Sequence, residues 1–157
     1  MPIRETLKRR LFWIVARTGL VLYRSFPIFG SLRASIAIIR HNQKFLVIDR
    51  NDGRGFSLPG GIAGWKESEE EALRREVLEE TGLRVTVQKL CSQYHSSDDV
   101  PCNISVYEVQ AEGELKSSWE GSPVWATLIE LESRILKSQR PVLRMLAANS
   151  ATDQSSS

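Results

Sequence analysis

Cysteine is scarce in this chain of 157 residues: Cys91 and Cys102 are the only two. Two thiols exclude the disulfide framework of small secreted domains, and no Cys/His spacing of the zinc-binding type is present. Both lie in or near predicted strands, where they could pair across a hairpin, but buried free thiols in a reducing cytoplasm are the better default. Long apolar runs are missing too. Near the N-terminus Arg17 cuts an apolar run after six residues, which argues against a secretory signal and against a membrane-spanning helix. No internal repeat occurs, and low complexity is confined to a Ser-rich tail over residues 150–157, expected to be disordered. The length is that of one domain with a real core.

Net charge is small, +2, but it is unevenly spread. Residues 1–54 hold eleven Lys or Arg against three acids, and the remainder holds ten against sixteen. Much of the excess belongs to residues 1–32, an extension ahead of the candidate domain at 33–149. Read as a helix, Leu7, Leu11, Ile14, Val15, Thr18 and Leu22 line one side, while Arg10, Arg17 and Arg24, seven apart, line another. A basic amphipathic helix of this kind either packs on its own domain or on the partner in a homodimer, or lies on a membrane surface through residues 1–28. Packing is the preferred expectation. The protein is then cytoplasmic, or peripheral to the membrane if the second reading holds.

Apolar or alternating runs predict strands at Ala34 to Arg40, Lys44 to Asp49, Leu83 to Tyr94 and Asn103 to Gln110. Turn signals at His41-Asn42, Asn51-Asp52-Gly53 and Asp98-Asp99-Val100-Pro101 separate them. Ile129 to Ala148 has helical periodicity interrupted by Pro141. Phe56 and Trp125 read as core aromatics. His95 stands near the predicted site loop, where a solvent-facing role is favoured over a substrate contact.

Residues 61–83 carry the chemistry. Ser68 with Glu71 three residues on has the form of a capping box, Ala72, Leu73, Val77 and Leu78 give an apolar side, and Gly82 suits a left-handed C-terminus. On that helix Glu76, Glu79 and Glu80 stand at i, i+3 and i+4, so three carboxylates share one face. Like charges so placed repel one another unless something positive sits among them. Upstream, Leu58-Pro59-Gly60-Gly61 enters a glycine turn whose bare backbone can offer carbonyl oxygens. Hard oxygen ligands of this kind suit Mg2+, or Mn2+.

The stretch resembles the Nudix box, Gly-x5-Glu-x7-Arg-Glu-U-x-Glu-Glu-x-Gly-U with U aliphatic. Gly61, Glu67, Arg75, Glu76, Val77, Glu79, Glu80, Gly82 and Leu83 meet every fixed position. At ordinary residue usage a chance match in a chain of this length is well below about one in a million. The resemblance implies an α/β/α sandwich around a mixed sheet, and hydrolysis of a nucleoside diphosphate linked to a group X. It also implies roles. Glu79 and Glu80 would ligate Mg2+ with the carbonyl of Gly60 or Gly61, while Glu76 either completes the shell or acts as general base toward water. Arg75 would pair with Glu67 and pin the helix to the glycine loop. A second segment, Glu120-Gly-Ser-Pro-Val-Trp125, resembles the Glu-Gly-x-Pro-x-x-Trp type of MutT-like members, with a spacing one residue different. Glu120 is therefore either a loop glutamate reaching back to the metal or a surface carboxylate in a turn. Arg50 and Arg54, ahead of the loop, are candidate phosphate contacts or solubilising charges.

Substrate marks are negative. There is no tyrosine 16 to 18 residues past Leu83, as in dinucleoside-polyphosphate hydrolases, no proline about 16 past it, as in ADP-ribose pyrophosphatases, and no coenzyme A signature. A nucleoside triphosphate or related small nucleotide is the default. RNA 5' ends stay open because the basic N-terminal half would attract phosphate. The competing class is a non-catalytic Nudix-fold module that binds a nucleotide, which loss of box carboxylates would favour; none is lost.

Overall fold

The structure is a computed structural model that describes residues 32–98 and 100–153, with side chains through residue 148. The expected N-terminal helix and the end of the Ser-rich tail lie outside the described residues.

The strands are β1 (Leu32–Ile38), β2 (Arg40–His41), β3 (Lys44–Arg50), β4 (Phe56–Ser57), β5 (Gly60–Ile62), β6 (Arg84–Ser96), β7 (Cys102–Glu112) and β8 (Gly121–Ala126). The helices are α1 (Glu69–Thr81), α2 (Leu128–Arg134) and α3 (Arg140–Asp153), with a 3-10 turn at Lys137–Gln139. One sheet has the order β5-β1-β7-β6 and is mixed, since β1 and β7 run parallel from Leu32↔Cys102 to Ile38↔Glu108 while the outer pairs are antiparallel. The other is antiparallel: β3 pairs with β2 and β4, and with β8 from Phe45↔Ala126 to Arg50↔Gly121.

The apolar run Ile36 to Ile39 shows why β1 is central. A strand covered on both faces needs no polar alternation. Ile36 and Ile38 join Val47, Phe56, Leu58, Leu131 and Leu146 in one core, while Ala37 and Ile39 join Leu46, Leu73, Val77 and Val109 in another, beneath α1. Leu73 and Val77 are fully buried, each worth about 1.5–3 kcal/mol of apolar burial. Helix α1 is therefore clamped by its apolar face, and its carboxylates have a rigid support.

Helix α1 begins and ends where its caps predict. Ser68 Oγ accepts from the Glu71 amide at 3.2 Å, Glu71 Oε2 accepts from the Ser68 amide at 2.8 Å, and Gly82 takes φ 77°. The predicted strands at Lys44 and Asn103 are each found, the latter longer. The first splits, with β1 ending at Ile38 and Arg40 in β2, and the long one starts at Arg84 and runs to Ser96.

Two expectations need correction. The helical stretch from Ile129 is not interrupted at Pro141 but at Ile135 and Leu136, where Ile135 leaves helical angles and Leu136 donates from its amide to the Phe56 carbonyl at 2.9 Å. Pro141 instead sits in the first turn of α3, where a missing amide hydrogen leaves no helical bond unmade. Cys102 is buried, but Cys91 is only half-buried, beside the irregularity of β6 between Leu90 and Ser92. Both are free thiols. Among the described residues no helix is long and apolar enough to cross a membrane.

Candidate active site

Glycine sets the geometry on one side of the site. Gly60 and Gly61 form β5 and pair with Ile36 and Ser35 of β1. Gly60 has φ 145°, and a Cβ there would collide with the Ser35 carbonyl oxygen, so only glycine lets this strand approach so closely. At Gly61 a Cβ would come within 2.6 Å of the Glu76 carboxyl carbon. The Glu76 side chain thus lies directly on the glycine backbone.

Arg75 organises the helix side. Its guanidinium donates to both oxygens of Glu67 at 2.8 and 2.9 Å, to Glu76 Oε1 at 2.8 Å, and to the Ile62 carbonyl at 3.4 Å. Glu79 Oε2 lies 3.6 Å from the same guanidinium. Glu67 also accepts from the Gly64 amide at 2.9 Å, and the Arg75 contact with this bond holds its carboxyl down at about 2. The expected Glu67–Arg75 clasp between loop and helix is present. It is a forked, two-bond pair rather than a loose surface contact.

Glu80 is the buried carboxyl of the cluster, 5% exposed, and it accepts from the Gly60 amide at 2.9 Å. Burial pushes it up to about 8, and the nearby Glu120 and Glu76 carboxylates push the same way against the pull of the Gly60 amide. Glu120 is half-buried and also raised, first by burial, with Arg50 pulling it down and Glu76 pushing it up. The two carboxyls lie close enough to act on one another, Glu120 raising Glu80 and Glu80 lowering Glu120.

What brings Glu120 there is backbone pairing. The Asn51 amide donates to the Glu120 carbonyl at 2.9 Å, Asn51 Nδ2 donates to the Trp119 carbonyl at 3.1 Å, and Gly121 packs so tightly on the Asp49 carbonyl that no Cβ would fit. The loop glutamate therefore faces Glu80 across 40 residues of sequence and is not a free surface carboxylate. Arg50 and Arg54 are engaged as well. Asp52 accepts from Arg50 at 2.7 and 3.1 Å and from the Arg54 side chain at 3.0 Å, and Arg50 lies close enough to Glu120 and Glu80 to be raised by both. Sequence reading missed Asp52 as the latch of both arginines, although its place two residues from each in a tight turn was a usable signal. His95 is exposed and hydrogen-bonded to Asn103 at 3.0 Å, with no part in this cluster.

The donor set fits a hard divalent cation. Glu76 and Glu80 lie against the glycine backbone, Glu120 faces them, and Glu79 stands beside Arg75 on the same helix, so a dication would offset carboxyls that crowd one another. Among the described residues no three acidic, His or Cys side chains yet close around one point. Glu76 is turned to Arg75 and Glu80 to Gly60.

The chain is similar to known proteins. The family model of the NUDIX domain matches residues 31–146. A MutT-like protein of Streptomyces ambofaciens is 35% identical over 71 residues, covering 45% of this chain and 46% of that protein. An ADP-ribose pyrophosphatase of Methanocaldococcus jannaschii is 45% identical over 67 residues, covering 41% of this chain and 40% of that protein. The chain thus spans less than half the length of these curated relatives. The solution structure of the E. coli ORF135 protein superposes with a TM-score of 0.69 at 24% identity, over 81% of this chain and 96% of that one, a likeness of fold.

Proposed function

The chain belongs to the NUDIX domain family, and from that membership we propose that it hydrolyses a pyrophosphate bond in a nucleoside diphosphate linked to a group X, with Mg2+ as cofactor. The observation that carries this reading is the buried Glu80, hydrogen-bonded to the Gly60 amide and facing Glu120 and Glu76. Such a pile of carboxyls serves no purpose in stability, since each raises the cost of ionising the next.

Glu76, Glu79 and Glu80 with a carbonyl of Gly60 or Gly61 would hold the ion. When bound, Mg2+ supplies Lewis acidity toward the phosphate oxygens and offsets the charge that builds on them. Arg75 keeps Glu76 and Glu79 on one side of the helix, and its clasp on Glu67 fixes the loop that carries the glycines. Glu120, with no backbone donor of its own to satisfy and Glu80 beside it, is the carboxylate placed to accept a proton from the attacking water. Water adds to phosphorus, the bridging P–O bond breaks, and two phosphate-bearing products leave. Arg50 and Arg54 contact substrate phosphate only by loosening their hold on Asp52.

The relatives' names, MutT-like in one case and ADP-ribose pyrophosphatase in the other, do not point to one X. Small nucleotides of the triphosphate kind are the default substrate. The test is purified full-length protein with Mg2+ against nucleoside triphosphates, nucleotide sugars, ADP-ribose, dinucleotides and 5'-triphosphorylated RNA, with products identified. Nucleotide binding without turnover on any of them would replace this reading with that of a binding module.

A further inference from the structure

Beyond the carboxylates lies a row of cations that the proposed chemistry does not use. Arg134, Lys137, Arg140 and Arg144 follow one another at intervals of three and four through the end of α2, the 3-10 turn and the start of α3. In the helical part of this path such spacing sets side chains along one side. Arg134, Lys137 and Arg140 border a cleft of about 530 Å3 between the Gly53–Gly55 turn and residues 133–140, which Arg54 also lines, while Arg144 and Arg140 line an outer groove.

The two ends of the row differ in how their charge is met. Arg134 donates to Asp49 at 2.9 Å and lies 4.0 Å over the Phe56 ring, and Arg54 is bound to Asp52. Lys137, Arg140 and Arg144 are exposed, and among the described residues none has an acid within ion-pair distance. The acids that face them are Asp98, across the cleft, and Glu132, beside Arg140 and Arg144 on the outer groove. Three cations therefore stand unneutralised on one side, roughly 10 Å from first to last at helical rise.

This row is joined to the reaction centre. Arg54 lines the cleft with Lys137 and Arg140, Arg54 and Arg50 share Asp52, and Arg50 is near Glu80 and Glu120. A substrate whose anhydride lies at the carboxylates would extend past Arg50 and Arg54 toward the row. An anion there is repelled by the carboxylates and attracted by Lys137, Arg140 and Arg144.

We propose that X itself carries phosphates, and that Lys137, Arg140 and Arg144 bind them. The inference rests on the reading of the carboxylate cluster as the place of hydrolysis and names the class of X that the surface favours. The shared chemistry is a run of phosphates, supplied either by the 5' end of an oligonucleotide or by a dinucleoside polyphosphate.

The test measures binding of a labelled 5'-triphosphorylated pentanucleotide to full-length protein in excess chelator, so that turnover does not compete. The wild type is compared with the Lys137→Ser/Arg140→Ser/Arg144→Ser variant, whose melting temperature is checked. The variant should bind at least tenfold more weakly, and its slope of log K against log salt should be shallower by about 2, at about 0.7 per cation removed. Displacement of the label by a dinucleoside tetraphosphate at equal concentration identifies the small polyphosphate as the source, and failure to displace identifies the oligonucleotide. Equal affinity and slope in the two proteins, or no binding by the wild type, overturns the inference. Turnover with Mg2+ is followed in parallel. Row-dependent binding without hydrolysis of any nucleotide sinks the hydrolase reading alone, and hydrolysis without row-dependent binding sinks this inference alone.

Discussion

The Gly60 amide donates a 2.9 Å hydrogen bond to Glu80 Oε2, tying the glycine strand to a helix residue twenty positions later. The bond does two things. It fixes one oxygen of a carboxyl that is only 5% exposed, and it leaves the other toward Glu120 and Glu76. A glutamine keeps the acceptor for Gly60 and loses the charge, which separates fold from chemistry.

Glu80→Gln should therefore melt within a few degrees of the wild type in chelator and lose on the order of a hundredfold or more in turnover. The sharper readout is independent of activity. At about 100 times its Kd a bound ion stabilises by about 2.7 kcal/mol, which raises the melting temperature of a domain this size by roughly 5–10 °C. Mg2+ should produce that rise in the wild type and little of it in Glu80→Gln. Equal rises in both would remove Glu80 from the metal site.

Gly61→Ala tests how closely Glu76 is held. The added Cβ would meet the Glu76 carboxyl carbon at 2.6 Å, and a flexible side chain can move away where backbone could not. Stability should change little while kcat falls, since displacement of a reacting group by about 1 Å can cost a hundredfold. Unchanged kcat would show that Glu76 does not work in the position it occupies here. Gly60→Ala should instead fail to fold well, because its Cβ meets the Ser35 carbonyl.

How far the sequence revealed all this depends on whether the signal was local. Helix α1 was legible to the residue because Ser68, Glu71 and Gly82 act within one turn of themselves. The glycine strand β5 was not, because its two glycines are poor strand formers and pair where β1 leaves no room for a side chain at Gly60. Strand β8 was hidden likewise, with Pro123 inside it and its register set by β3 some 75 residues earlier. The alternatives left open for Glu120 turned on that same pairing: Asn51 and Gly121 decide where the loop points, and neither neighbours the box. Leu136 breaks the last helix by bonding to Phe56, a partner no periodicity could announce.

The Glu67–Arg75 clasp gives a prediction in acid. Arg75 and the Gly64 amide hold Glu67 at about 2 in the folded state, below its ordinary value of 4.5. A folded-state value that is lowered means the unfolded chain binds protons first as pH falls, so the stabilisation is whole above about 4.5 and is lost as pH approaches 2. The difference in melting temperature between wild type and Glu67→Gln should therefore be largest near neutral pH and shrink from pH 5 to 2. A difference independent of pH over that range would mean the clasp acts through shape and not charge.

Glu120→Gln gives the last test, and it bears on the proton. Glu120 lies beside Glu80 and is held at the site by Asn51 through backbone pairing, so changing its side chain leaves that anchor in place. If it takes the proton from water, an amide in its place should lower kcat by about 10^2- to 10^4-fold, the range a positioned general base supplies, with KM little changed. The loss should also remove the acidic limb of the pH–rate profile, because no carboxylate remains there to be deprotonated. Melting temperature should hold or rise, since a crowded and partly buried carboxyl is replaced by a neutral group. A variant with wild-type kcat and an intact acidic limb would take the base role from Glu120 and pass it to Glu76, whose bond to Arg75 would then have to open during turnover.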